Sequence, residues 1–428
     1  MVRLLRQWLP RSRRGWLIFV ALLALAFAMA TAAGIAAPPY YHRRAAERAL
    51  QRYDFDDAQR HLDAYLKSWP KSAATHLVAA RTARRRGAYA DAEQHLAECE
   101  RLQGVAMSTA REWAMLRAQQ GDLAGVESSL RAMVEEKDPD APLALEALAR
   151  GYFVVSNVPQ TIACLDLLLD LQPDHFPALL LRGRALEAVP DDDEALRDYE
   201  RAVALKPAST EARLRLANTL NLLGRTWEAV GQYECLRQRH RPPVPPEVFV
   251  GLARCRYDLH EMDEARRLLD DLLAEAPDHV PGLVERGRLA LREHQPDVAE
   301  RDLRRAVELA PVDRDAHLVL SHCLEDQGKN DEARQVQRRL GRIEACIKRV
   351  TNLKAKVEDF PHDPELRREI GALLLDLGEE QQGLRWLWSA LQENQRHAPT
   401  HAALADYFER MGRTEEAAYH RQLAQQTN

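Results

Sequence analysis

The sequence predicts an all-α protein, a solenoid of helical hairpins behind one N-terminal membrane span, and three observations point there. Ala, Leu, Arg and Glu dominate while aromatic residues make up 6%, the balance of helices rather than sheets. The stretch RGRALEAVPDDDEALRDYERAVALKP at 182–207 is nearly repeated as RGRLALREHQPDVAERDLRRAVELAP at 286–311. An uncharged run extends from Gly15 to Tyr41. With 46% hydrophobic and 29% charged positions over 428 residues, the chain has ample material for a large core and is not disordered by composition.

The amino terminus comes first. Arg3, Arg6, Arg11, Arg13 and Arg14 form a basic segment over 1–15, and the run from Trp16 to Ala37 follows it. As a helix that run rises roughly 33 Å, enough to cross a bilayer core. The expectation is a single-pass anchor at 16–37 with a cytoplasmic N-terminus and everything after Pro38 on the far side. Arg43, Arg44, Arg48 and Arg52 also follow the run and weaken that orientation signal. The rival is a secretory signal cleaved near Ala28-Met29-Ala30, which has the small-x-small form that signal peptidase needs; the chain is then secreted or periplasmic. No second apolar run of about twenty residues occurs.

The array comes next. Small residues recur at a step of 34 or close to it: Ala58, Ala92, Val126, Thr161, Ala195, Ala229, Ala265, Ala299, Ala333, then, after one insertion, Gly383 and Ala417. A second small column lies upstream of each: Ala46, Ala80, Ala114, Ala149, Gly183, Ala217, Ala253, Gly287, Ser321, Gly371 and Ala405. Small residues let paired helices approach closely. Glycines between the columns, such as Gly87, Gly121, Gly224 and Gly328, suit a left-handed turn, and Pro70, Pro173, Pro207, Pro277 and Pro311 stop the second helix. Leu179, Leu186, Tyr199 and Leu205 give each hairpin an apolar face that only a neighbouring hairpin can bury.

These columns resemble the tetratricopeptide repeat family, in its membrane-anchored bacterial type, over about 39–428 and about eleven copies. The resemblance implies a right-handed superhelical solenoid whose concave groove is lined by the first helix of each unit. Single units depart from the pattern. Thr161 and Gly383 replace the usual alanine, and the unit at 107–140 lacks its proline. At 341–363 the register breaks, while Ile343, Ile347, Val350, Leu353, Val357 and Phe360 keep helical spacing, so the second helix of the ninth unit runs on. The expected division is a main array at 39–347, a helical seam at 348–363, and a C-terminal pair with a polar capping helix at 364–428.

Little room is left for a catalytic domain. There is no Walker loop, GxSxG elbow or HExxH helix, and His260-Glu261 lacks a second histidine. Cys99, Cys164, Cys235, Cys255, Cys323 and Cys346 are dispersed, which speaks for buried free thiols over zinc or disulfides. The run Asp191-Asp192-Asp193-Glu194 reads as a helix start before it reads as a metal site. Asp174-His175 and Asp278-His279 read as loop residues before ligands. Trp386 and Trp388, two apart on one helix, cannot share a face; packing on the seam helix is the favoured reading and a surface anchor the other. The expectation is a non-enzymatic scaffold without cofactor or small-molecule substrate.

Five arginines share the position after the upstream small residue. From unit four to unit nine that column reads Arg150, Arg184, Asn218, Arg254, Arg288 and His322. In the implied groove these donors could hold an extended acidic peptide by charge-assisted bonds. The competing reading has each arginine paired with a scaffold acid such as Glu187, Asp258 or Glu285. A net charge of −5, about −10 without the basic N-terminal segment, and the lack of regularly placed aromatics disfavour nucleic acid as partner. A membrane-bound regulatory subunit recruiting an enzyme in the cytoplasm is the alternative function.

Overall fold

A computed structural model describes residues 41–426 apart from 156, 190, 239–243 and 361. The span expected at 16–37 lies outside the described residues; among those described, no helix is long and apolar enough to cross a membrane. Among the described residues, twenty-two helices follow one another in eleven successive pairs and no strand occurs. The chain divides into two compact units, Met1–Ala185 and Leu186–Asn428. Each is a stack of helical hairpins.

Both small columns sit where helices touch. Ala58, Ala92, Ala195 and Ala299 are fully buried, as are Ala217 and Leu303. Each fully buried leucine in such a stack contributes about 1.5–3 kcal/mol. The glycines between the columns turn left-handed, with φ +86° at Gly87, +73° at Gly224 and +74° at Gly328. Tyr53, His260 and His294 hold the same conformation at φ 55°, 64° and 57°, which costs a side-chain-bearing residue about 1–2 kcal/mol. The acidic run is a helix start: the Asp191 carboxylate accepts the Glu194 N–H at 3.2 Å, and Asp192, Asp193 and Glu194 occupy the first turn.

A second repeated contact joins the two helices of three pairs. Nδ1 of His42 meets Nδ1 of His61 at 2.9 Å, His76 meets His95 at 3.1 Å, and His401 meets His420 at 2.9 Å, each across nineteen residues. His76 and His401 donate their Nε2–H to the carbonyls of Pro70 and Gln395, both at 3.0 Å. That tautomer leaves Nδ1 of each as acceptor for the Nδ1–H of His95 or His420. A second proton would face one N–H with another.

Two departures shape the stack locally. In the third pair, the second helix, Glu127–Glu135, has only nine residues, after a turn in which Gly121 and Gly125 both adopt positive φ. With so short a spacer, the first helices Met107–Gln119 and Ala141–Val154 pack directly. A Cβ on Gly151 would lie 2.3 Å from the Ala118 carbonyl oxygen. In the ninth pair the second helix continues unbroken over Asn330–Asp359, thirty residues. Its later half packs Val350 and Leu353 against Ile370, Leu374 and Trp386. Trp386 is therefore a core residue, whereas Trp388 is 44% exposed beside the His420 ring at 5.5 Å.

Candidate groove face and its charge pairs

The six candidate donors all lie on first helices, four of them in the unit Leu186–Asn428. There Asn218, near the C-terminal end of Thr210–Leu222, is exposed, and its Oδ1 accepts the Tyr233 hydroxyl at 2.6 Å. Arg254, on Pro246–Asp258, donates Nε to Glu285 Oε1 at 2.8 Å. Arg288, on Val280–Arg292, reaches the same oxygen at 3.2 Å and Asp315 at 3.6 Å. Glu285 is buried while both guanidinium side chains stay more than 40% exposed. His322, on Arg314–Asp326, is exposed. Between the two arginines, Ala253, Tyr257, Leu269 and Leu289 line a small apolar pocket.

In the unit ending at Ala185, Arg150 lies 3.3 Å from Glu146, and the Arg184 guanidinium sits 4.9 Å from the centroid of the Phe153 ring. Scaffold acids thus hold three of the four arginines, and a ring holds the fourth. Of the acids expected as partners, Glu285 serves two arginines. Glu187 instead accepts from Tyr199 at 2.7 Å and Arg215 at 3.0 Å.

The same unit contains a polar cluster that sequence reasoning missed. Arg84 and Glu112 are each 1% exposed and bonded at 3.0 Å, and Arg81 reaches the other oxygen of Glu112 at 2.5 Å. Arg85 donates Nε to Glu146 Oε2 at 2.9 Å and stacks on Phe55 at 4.6 Å. His175, buried, accepts the Ala178 N–H on Nδ1 at 3.1 Å, so its Nε2 carries the proton and faces Glu146 at 3.7 Å. Tyr53 closes the cluster edge-on, its ring 4.9 Å from that of His175. Residues from the first five pairs meet here.

Burial alone would raise the Glu146 carboxyl, but Arg85, Arg150, His175 and Arg84 outweigh it and hold it at about 2. Burial pushes His175 down to about 4 against the opposing pull of Glu146. At neutral pH the cluster is an ionised carboxylate, arginines and a neutral imidazole. One Glu146 oxygen makes no hydrogen bond. The only legible hint was Asp174-His175 after Pro173 and the paired glycines at 121 and 125; its members lie up to 122 positions apart.

Other candidate chemistry resolves into structure. His279 caps its helix by accepting the Gly282 N–H at 3.1 Å. Among the described residues no group of three or more His, Cys, Asp or Glu is placed to hold a metal. The six cysteines are free, four of them buried. Burial pushes the Cys164 thiol up to about 11 and Cys255 up to about 12, so both are inert protonated thiols at neutral pH.

Tetratricopeptide repeat profiles match residues 247–427 and 43–103. The Protein CTR9 homolog of Arabidopsis thaliana is 32% identical over 119 residues, 28% of this chain and 11% of that protein. The DnaJ protein P58IPK homolog B of Oryza sativa subsp. japonica is 24% identical over 263 residues, 56% of each chain. The chain therefore spans about a tenth of the first relative and just over half of the second. Among solved structures, the human IFIT1 dimer with m7Gppp-AAAA aligns at 17% identity over 83% of this chain and 90% of that one, with a TM-score of 0.40. The pilF of Pseudomonas aeruginosa aligns at 17% identity over 48% and 92%, also at 0.40. Residues 43–103 in one compact unit and 247–427 in the other are tetratricopeptide repeats.

Proposed function

We propose that the chain is a non-enzymatic, membrane-tethered scaffold that gathers partner proteins during assembly of a bacterial cell envelope. Extended partner segments lie along the first-helix face. Tetratricopeptide repeats favour a protein-binding role, and the observation that carries the reading is the exposed donor column Asn218, Arg254, Arg288 and His322, one per repeat. Because Glu285 already offsets two of these cations, the column suits backbone carbonyls and single carboxylates better than a dense acidic run. The segment at 16–37 supplies the tether, with the array on the extracytoplasmic side.

Affinity capture from membranes with the full-length chain tests this. Arg184→Glu combined with Arg254→Glu should release the captured partner, and unchanged capture overturns the groove assignment. A reporter fused at the C-terminus should be active only outside the cytoplasm. Cytoplasmic activity would move the chain to the regulatory alternative.

A further inference from the structure

The long helix Asn330–Asp359 differs from the rest of the chain in charge. Residues 333–357 hold eight basic side chains and one acidic one, Glu344. At a chain total of −5, this segment of +7 leaves −12 for everything else. Arg338, Arg342, Arg349 and Lys356 recur at helical intervals that place them on one stripe, and all four are exposed. From Arg338 to Lys356 the stripe runs about 27 Å.

Among the described residues three of its four cations have no acidic partner, unlike Arg254 and Arg288 of the donor column. Arg349 bonds Glu369 at 2.8 Å, and Glu344 is engaged by Arg314 at 2.9 Å. Arg338, Arg339, Arg342, Lys348 and Lys356 have no acidic partner among the described residues. Beside the stripe lies an open cleft of about 370 Å³. Val307, Leu320, Leu324 and Val336 contribute apolar surface to it, and Arg339 and Arg342 stand among its walls. The lining acid Glu332 is matched by Arg304, and Glu308 by Arg305.

We propose that this face docks an acidic segment of a partner polypeptide, with one apolar side chain in the cleft and carboxylates on Arg338, Arg339 and Arg342. An extended chain covering the stripe has about eight residues. A recessed apolar cleft is out of reach of a flat bilayer. A stripe without aromatic rings offers bases nothing to stack on. A peptide supplies both the apolar group and the charges.

This rests on the scaffold reading and names the chemistry of the partner. The test uses the full-length chain in detergent micelles and a short fluorescein-labelled Asp/Glu peptide with one central leucine, followed by anisotropy. Arg338→Glu with Arg342→Glu should weaken binding at least about tenfold, and the double alanine variant by less. Both residues are exposed and unbonded, so folding is retained, as circular dichroism would verify. Val336→Trp, filling the cleft, should abolish the advantage of the leucine peptide over its glycine counterpart. Arg184→Glu with Arg254→Glu should leave peptide affinity within about twofold.

Peptide binding unaffected by the stripe variants overturns the proposal, as does no peptide binding at all. Preferential binding of single-stranded RNA or of phosphatidylglycerol vesicles, with the peptide failing to compete, also overturns it. If membrane capture finds a partner that survives the stripe variants, the stripe falls while the scaffold reading stands. Peptide binding without any captured protein would strike the scaffold reading instead.

Discussion

Two sets of arginine–carboxylate contacts, one in each compact unit, use the same residue types to different ends. In the unit ending at Ala185, Arg84, Glu112, Glu146 and His175 are almost fully buried. In the unit beginning at Leu186, Glu285 is buried but Arg254 and Arg288 keep more than 40% of their side-chain surface exposed. The first set has been taken out of water, so each charge depends on its partner. In the second the guanidinium groups keep their contact with water, so each pair is a weaker mutual dependence. Burial, more than residue identity, separates an ion pair that holds the fold from one that stays at the surface.

That contrast breaks most sharply at Glu112. Glu112→Ala leaves Arg84 buried without its carboxylate and should cost about 3–5 kcal/mol, read as a drop in urea midpoint by far-UV circular dichroism. Gly151→Ala places a methyl group 2.3 Å from the Ala118 carbonyl oxygen of the facing helix, and a destabilisation of about 1–3 kcal/mol should follow in the same measurement.

Acid sharpens the comparison next. His175 titrates near 4 when folded and near 6.5 when unfolded. A depressed histidine pKa means the unfolded chain takes up the proton first, so its stabilising effect is complete above pH 6.5 and declines as pH falls toward 4. Glu146, held at about 2 when folded and near 4.3 when unfolded, adds a loss of stability of the same sign below about pH 5. His175→Asn keeps an acceptor for the Ala178 N–H and should flatten the pH dependence of the melting temperature by the equivalent of at most about 3 kcal/mol, the linkage limit of that shift. Burial and a facing ring also depress His95 and His420, and these add slope of the same sign as pH falls below 6.5. Replacing His95 and His420 by Asn should remove that share. The smallest effect belongs to the second set: Glu285 is buried, but Glu285→Ala leaves behind two arginines that water reaches, so it should cost less than about 1 kcal/mol while raising the salt sensitivity of partner binding.

Much of the scaffold was legible because its determinants are local. The 34-residue step places the small residues and turns, Asp191 caps the helix three residues on, and the apolar spacing from Ile343 to Val357 falls within the continuous helix Asn330–Asp359. The arginine column was legible as a column and Glu285 stood among its candidate partners, but which acid meets which arginine was not legible. Glu285 lies 31 positions from Arg254 and Glu146 lies 61 from Arg85, distances over which periodicity carries no pairing information. The histidine pairs carried a readable signal, one spacing of nineteen used three times, hidden by the small-residue columns beside it.

The sequence by itself determined the hairpin unit, its repetition and the charge of the long helix, since each follows from contacts within one or two turns or from composition. Tertiary structure alone decided which charges stay in water. A nine-residue helix in the third pair draws neighbouring first helices together and buries Glu146 among arginines. Ordinary spacing in the later pairs leaves Arg254 and Arg288 at the surface, and among the described residues nothing packs over Arg338 and Arg342. Desolvation depends on what lies across the gap, and that is a property of the packed chain rather than of any stretch of it.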